Sequence, residues 1–283
     1  MPTRALPLLP GYEVVSRIGR GAGAVISLAR DGDGRLVALK HIVRHSPDDD
    51  RFIAQAENEY EVTRGVEHDC LRRCFDLIRV RKWLKTRELL LVMEYVDGER
   101  LEDECPKDLP AILAVFARVA DGLHALHQHG FVHADIKPHN ILLTNAGGVK
   151  IIDFGQSCPL GHVKERVKGT PEYMAPEQVL RRALDQRTDV YNLGATMYDV
   201  LTGKHFRTLI NVAQPGATRI ALESQRGNEP PHVLNSQVPL PLSRLIMDCC
   251  GTEKEQRPRD MREVLTRLEI VQHMAARNSA ASE

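Results

Sequence analysis

The segment Phe131–Leu143, FVHADIKPHNILL, constrains this chain more than any other. Within six residues it sets an acid (Asp135), a base (Lys137) and an amide (Asn140) between apolar flanks. A core strand does not tolerate three such groups without partners. The segment therefore reads as a polar loop, anchored by apolar ends and facing a ligand. Eighteen residues after Asp135, the run Val149–Gly155 ends a short buried strand in a carboxylate, Asp153, a phenylalanine and a glycine. An amide at 140 and a carboxylate at 153 are hard oxygen donors suited to Mg2+.

The 283 residues allow one large domain or two modest lobes. From Gly11 to about Val96 the texture is strand-like, in the runs YEVVSRI, AVISLA, LVALKHIV, CFDLIRV and ELLLVMEYV. Asp31-Gly32-Asp33-Gly34 reads as a hairpin turn. One helix interrupts this part: acidic Asp48–Asp50 suit a helix start, and Phe52, Ala56 and Tyr60 follow at helical spacing. After Val96 the texture turns helical. Pro110 opens a helix that Gly130 closes, a second fits Asp189–Leu201 before Gly203, and Asp260–Glu263 reads as a capping box for a third. The expectation is an α+β chain with a hinge near Val96–Gly98, a domain over 11–273, and flexible ends at 1–10 and 274–283.

Lysine plus arginine and aspartate plus glutamate both number 38, so the chain lacks the basic excess of a nucleic-acid-wrapping protein, and no nucleic-acid partner is expected. Six cysteines at 70, 74, 105, 158, 249 and 250 form no disulfide or zinc pattern, and with no signal-peptide pattern at the start they place the chain in the cytoplasm. The longest dense apolar run, Leu89–Met93, is too short to span a membrane. Arg79–Arg87 carries five basic residues and no acid except Glu88 beyond it, around the only tryptophan. It reads as a solvated hairpin tip or, more sharply, as a docking surface for an acidic partner.

Gly19-Arg20-Gly21-Ala22-Gly23-Ala24 lies between two strand-like runs, where glycine lets backbone approach phosphate. It precedes a strand, which argues against a dinucleotide-binding fingerprint. Lys40 ends an apolar strand and is a cation for polyphosphate if an acid fixes it; Glu57, Glu59 and Glu61 all compete for that part.

Together with Val37-Ala-Leu-Lys40, His133–Asn140, Asp153-Phe-Gly155 and Ala175-Pro-Glu177, this ordered set resembles the eukaryotic-type serine/threonine protein kinase domain, in the manner of bacterial members, over residues 11–273. The resemblance implies a bilobal fold, with a small antiparallel β lobe carrying one helix (11–96) and a larger, mainly α lobe (97–273). It implies ATP and Mg2+, protein substrates with serine or threonine, and the following roles. Gly19, Arg20, Gly21, Ala22, Gly23 and Ala24 cover the nucleotide. Lys40 holds its α- and β-phosphates and is fixed by Glu59, chosen because it stands nine residues before His68. Asn140 and Asp153 hold the metal, Asp135 accepts the substrate hydroxyl proton, and Lys137 neutralises the moving phosphoryl group. Ile26, Ala38 and Leu142 sandwich adenine, Met93 is the gatekeeper, and the backbone of Glu94 and Val96 bonds the adenine edge. Glu177 and Arg257 resemble a structural ion pair, Asp189 a brace for the catalytic loop, His133 packing behind it, and Thr170 a hydroxyl near Asp135 and Lys137.

Several residues depart from the family pattern. Ala134 stands where arginine usually precedes the catalytic aspartate, and the loop 156–168 holds no threonine or tyrosine and one serine, Ser157. Reader and target of a loop phosphate are both missing, so activity is expected not to depend on one. Gly23 and Ala24 make a small, mobile lid, Thr63 loosens the helix carrying Glu59, and Cys158 is a redox candidate if exposed. The alternatives are a pseudokinase scaffold, disfavoured by intact Lys40, Asp135, Asn140 and Asp153, and a small-molecule kinase, disfavoured by Gly169–Glu177.

Overall fold

The computed structural model describes residues 11–21, 23–82, 85–209 and 227–280. Residues 1–10, Ala22, Trp83, Leu84, residues 210–226 and residues 281–283 lie outside them. The chain divides into two compact units, one ending at Asp97 and the other beginning at Gly98, with 68–71 belonging to the second.

The first unit is a five-stranded antiparallel sheet with one long helix. Strands β1 (Tyr12–Gly21), β2 (Ala24–Asp31), β3 (Leu36–Val43), β4 (Cys74–Lys82) and β5 (Lys85–Glu94) lie in the order β1-β2-β3-β5-β4. The turn between β2 and β3 forms where expected: the Asp31 carboxylate accepts from the backbone N–H of Asp33 and Arg35, and Gly34 takes φ 79°. Helix α1 (Asp50–Thr63) follows a 3-10 turn in which the Asp49 carboxylate accepts from the N–H groups of His45 and Ser46. One sheet face packs Ala38, Ile42, Leu89, Leu91 and Met93 against Ile53 and Ala56 of α1, with Phe52 and Tyr60 at the margin. The other face buries Ala29, Val37, Leu39 and Val92. Central strands covered on both faces need apolar residues at every position, which is why Leu89–Met93 reads as an unbroken run.

The second unit holds strands β6 (Gly98–Arg100), β8 (Ile141–Thr144) and β9 (Val149–Ile151) in one small sheet. Strand β7 (Phe131–Val132) pairs with β10 (Cys158–Pro159) in another. Its helices are α2 (Leu109–Gln128), α3 (Pro176–Val179), α4 (Gln186–Thr202), α5 (Pro231–Leu234), α6 (Leu240–Cys249) and α7 (Met261–Ala280). Asp108 caps α2 by accepting from the Ala111 N–H. By length and composition alone α2 could cross a membrane. Here it packs along α7 and α4, and its stripe Leu113, Phe116, Val119, Ala120 and Leu123 is fully buried.

Four boundaries differ from expectation. Helix α4 starts at Gln186, because Asp185 and not Asp189 supplies the cap, accepting from the Arg187 N–H at 2.9 Å. At α7, Asp260 accepts from the Glu263 N–H, but Glu263 reaches back to the Arg259 N–H, one residue before the expected box. The same helix continues through Ala280, so 274–280, expected as a loose end, keeps helical backbone. Residues 68–71, placed by sequence in the first lobe, join the second unit: the Cys70 carbonyl accepts from the Ile151 N–H at 2.7 Å.

Candidate active site

In the first unit the site residues lie on β1–β3, α1 and β5. Gly19 faces Ile26 and Gly21 faces Ala24 across the β1–β2 pair. Gly23 takes φ +68°, and a Cβ there would stand 2.3 Å from the Phe52 ring of α1. A side chain at 23 would force the Phe52 ring to move, and Ala24 is buried, so both of these positions are packed against the rest of the unit. Ile26 lies opposite Lys40 in the β2–β3 register, and buried Ala38 lies opposite buried Met93. The Glu94 N–H donates to the Arg73 carbonyl at 2.9 Å.

Among the three glutamates on α1, Glu59 is the one that meets Lys40. Its fully buried carboxylate accepts from Lys40 Nζ at 2.8 Å and from Arg72 Nη2 at 2.6 Å. Glu57 instead pairs with Arg79, and Glu61 with Arg64. Helical geometry explains the split: 52, 56, 59, 60 and 63 share the buried face, whereas 57 and 61 share the wet one. Burial by itself raises the Glu59 pKa, but Lys40 and Arg72 more than reverse that, and the carboxyl is held at about 2. Thr63 meets the helix backbone itself. Its buried hydroxyl donates to the Glu59 carbonyl at 2.7 Å, so no polar atom is stranded. Arg79, of the basic stretch, is neutralised by Glu57, and the tip at Trp83 and Leu84 lies outside the described residues.

In the second unit, α4 organises the polar loop. The buried Asp189 carboxylate accepts from the backbone N–H groups of His133 and Ala134 at 2.8 and 2.7 Å, and from His127 Nε2 at 2.8 Å. Aiming two successive amides at one carboxylate bends the chain, and Ala134 takes φ 61°. Burial opposes the Asp189 charge, yet these donors keep its pKa below the usual value. His133 packs behind the loop as expected, edge-on to Phe154 at 5.1 Å, and burial depresses its pKa.

The loop's functional side chains converge. Asp135 Oδ1 accepts from the Thr170 N–H at 3.1 Å and from the Thr170 hydroxyl at 3.2 Å. Lys137 Nζ lies 3.1 Å from Asp135 Oδ2 and donates to Thr170 Oγ1 at 2.5 Å. Asn140 Nδ2 donates to the Asp135 carbonyl at 2.8 Å, while its Oδ1 is buried with no hydrogen-bond partner. An orphaned amide oxygen is costly unless a cation or a donor completes it. Asp153, at φ 64°, turns its carboxylate back toward the Gly155 N–H at 3.4 Å. A neutral amide oxygen and a carboxylate at the end of β9 form a donor set that suits Mg2+. Leu142 is half-buried on β8. A cavity of about 260 Å3 opens beside Lys137 and Thr170, bordered by Glu102, His139 and Tyr173.

The remaining structural expectations resolve clearly. Glu177 accepts from Arg257 Nη1 and Nη2 at 2.8 and 2.9 Å and from the Thr188 hydroxyl at 2.8 Å, all buried. Cys158 is buried and burial pushes its thiol up to about 11, so it is a poor redox sensor. The sequence reading missed Arg72, His127, Gln178, Asn192 and Thr196. Gln178 donates to the Ala134 carbonyl and Thr196 to the Ile136 carbonyl. Thr188, Asn192 and Thr196 recur every four residues along α4, which is a legible sign of a polar seam. Arg72 carries no such sign.

The family model for the protein kinase domain matches residues 12–272. The probable serine/threonine-protein kinase of Clostridium acetobutylicum is 28% identical over 272 residues, covering 93% of this chain and 40% of that protein. Serine/threonine-protein kinase Pkn1 of Myxococcus xanthus is 30% identical over 259 residues, covering 87% of this chain and 36% of its own. Serine/threonine-protein kinase 36 of Pongo abelii is 32% identical over 199 residues, covering 68% and 15%. The chain thus spans less than half the length of these curated relatives.

Proposed function

The chain belongs to the protein kinase domain family, and on that premise we propose that it transfers the γ-phosphoryl group of ATP to serine or threonine hydroxyls of proteins. The observation that carries this reading is the cluster Asp135–Lys137–Thr170 beside Asn140, whose Oδ1 is buried without a partner.

Phosphoryl transfer requires alignment of donor and acceptor and neutralisation of the triphosphate charge. Lys40, fixed by Glu59, binds the α- and β-phosphates; the backbone of the Gly19–Ala24 turn approaches them. Ile26, Ala38 and Leu142 hold the adenine, with Met93 limiting the pocket and the backbone of Glu94 and Val96 meeting its edge. Asn140 and Asp153 would hold Mg2+, which supplies positive charge to the β- and γ-oxygens. Asp135 orients the acceptor hydroxyl and takes its proton. Lys137, already at hydrogen-bond distance from a hydroxyl, that of Thr170, stabilises the transferring group. Thr170 occupies the carboxylate oxygen that an incoming hydroxyl needs, so it marks the acceptor position and shifts when substrate binds.

Activity without a phosphate in 156–168 belongs to the same proposal. It is supported by Ala134, which is fully buried in an apolar cluster with Val132, Cys158 and Leu184. No cation at 134 waits there for a phosphate. The test is transfer of labelled γ-phosphate to a generic protein or to the chain itself. Wild type should transfer, phosphatase-treated wild type should transfer equally, and Asp153→Asn should lose at least about a hundredfold in rate. Transfer surviving in Asp153→Asn would overturn the assigned site. Loss on phosphatase treatment, with the phosphosite mapped to Ser157, the one hydroxyl of 156–168, would overturn phosphate independence.

A further inference from the structure

The segment from Gln156 to Gly169 lacks a phosphate acceptor at its centre, yet it follows a defined path. Its first half is tied by backbone: β10 pairs with β7, the Leu160 N–H donates to the Gly130 carbonyl, the Gly161 N–H donates to the Leu184 carbonyl, and the Leu184 N–H donates to the His162 carbonyl. Beyond His162 the backbone ladder stops. There Lys164 folds inward against the start of its own segment, and its Nζ donates to the Gln156 carbonyl at 2.6 Å. Its own carbonyl accepts from Arg181 Nε at 3.4 Å, and Arg181 holds a left-handed backbone, φ 52°, that few non-glycine residues adopt. Lysines 164 and 168 and Arg166 are the cations of this segment, and Lys164 is the one that is not exposed.

We infer that Lys164 is a positioning residue, a built-in clamp that holds the segment between Asp153 and Thr170 in its working path without a phosphate. The inference rests on the kinase reading of the site. In that reading the segment must deliver Thr170 to Asp135 and Lys137, so its path sets the acceptor side of the reaction and not the nucleotide side. A phosphate on such a segment works by adding an anion that an external cation grips. This chain has reversed the roles: the cation stands on the segment and the acceptor is a backbone carbonyl at the segment's start. This lysine is only partly open to water. Burial pulls its pKa below the usual value, and Cys158, Asp135 and Asp189 pull the other way. The two aspartates belong to the catalytic loop and its brace, so the ammonium also sits where negative charge favours it.

Lys164→Met, Lys164→Arg and, as a control in the same segment, Lys168→Met should be compared with wild type. Lys164→Met should lower kcat with a peptide acceptor about tenfold, the worth of one charge-assisted hydrogen bond, with KM for ATP within about twofold. Lys164→Arg should recover most of that loss, and Lys168→Met should behave as wild type. Amide exchange over 158–164 should accelerate in Lys164→Met alone, while the thermal midpoint stays near wild type. Wild-type kcat together with wild-type exchange in Lys164→Met would overturn the clamp. So would a loss that Lys164→Arg does not repair and that tracks a fall in thermal midpoint, because that marks general destabilisation. If wild type itself transfers no phosphate, the proposed function fails; the exchange measurement needs no activity and still decides whether Lys164 holds the segment.

Discussion

Replacing Glu59 by glutamine keeps the side chain's shape and removes its charge. In the native chain that carboxylate is fully buried between Lys40 at 2.8 Å and Arg72 at 2.6 Å. Its pKa stands at about 2 against an ordinary 4.5, so the folded state binds the proton more weakly than the unfolded state does. The ionised group therefore stabilises the fold in full above the unfolded value, and that stabilisation is lost as pH falls through 4.5 toward about 2. At ~1.4 kcal/mol per pH unit, the lowering from 4.5 to about 2 is worth about 3 kcal/mol at pH 7, of which about 1 kcal/mol survives at pH 3. Removing one partner from a buried pair costs ~3–5 kcal/mol by a separate route, which lands in the same range. Urea unfolding of wild type and Glu59→Gln at pH 7, 5, 4 and 3 measures it. The stability gap should be widest at pH 7 and shrink to roughly a third by pH 3. A gap that stays constant across this range would refute the reasoning, because it would mean that shape and not charge carries the contribution.

Two further perturbations probe other parts of the fold. Glu177→Ala strands the buried Arg257 guanidinium and should cost ~3–5 kcal/mol in chemical denaturation, whereas Glu255→Ala, which breaks an exposed contact with Arg187, should cost under ~1 kcal/mol. Gly23→Ala forces a Cβ into the Phe52 ring and a strained φ, and should weaken nucleotide binding about fivefold in an ATP titration, the range of a ~1 kcal/mol left-handed penalty. Adding Phe52→Ala should recover part of the loss by clearing the contact; affinity unchanged in Gly23→Ala alone would sink the packed-turn reading.

Much of the site was legible because its chemistry is local. Asp135, Lys137 and Asn140 lie within six residues, and a polar trio between apolar flanks announces itself. The five strands of the first unit were also legible, since alternation and the Asp31–Gly34 turn are short-range signals. Helix starts were harder. The helix expected from Asp189 begins at Gln186 because the Asp185 carboxylate caps it, while Asp189 is held by His127 and the loop amides. Glu57, Glu59 and Glu61 were open as partners of Lys40 on residue type, and only the family resemblance, through the distance to His68, singled out Glu59. The surroundings of Thr63 and Cys158 were not legible for one reason: they depend on burial and partner, which neighbours in sequence do not report.

The sequence by itself determined the order of the chemistry along the chain: a glycine turn, a strand lysine, a polar loop, and a strand ending in a carboxylate. These follow from residue identity and spacing, which act over a few bonds. Tertiary structure decided which of several equal candidates does the work. It gave Glu59 two cations, left Asn140 Oδ1 without a partner, aimed two amides at Asp189, and turned Lys164 inward. Those outcomes depend on water being removed from particular polar atoms by residues far away in the chain, and only the folded packing determines which atoms lose it.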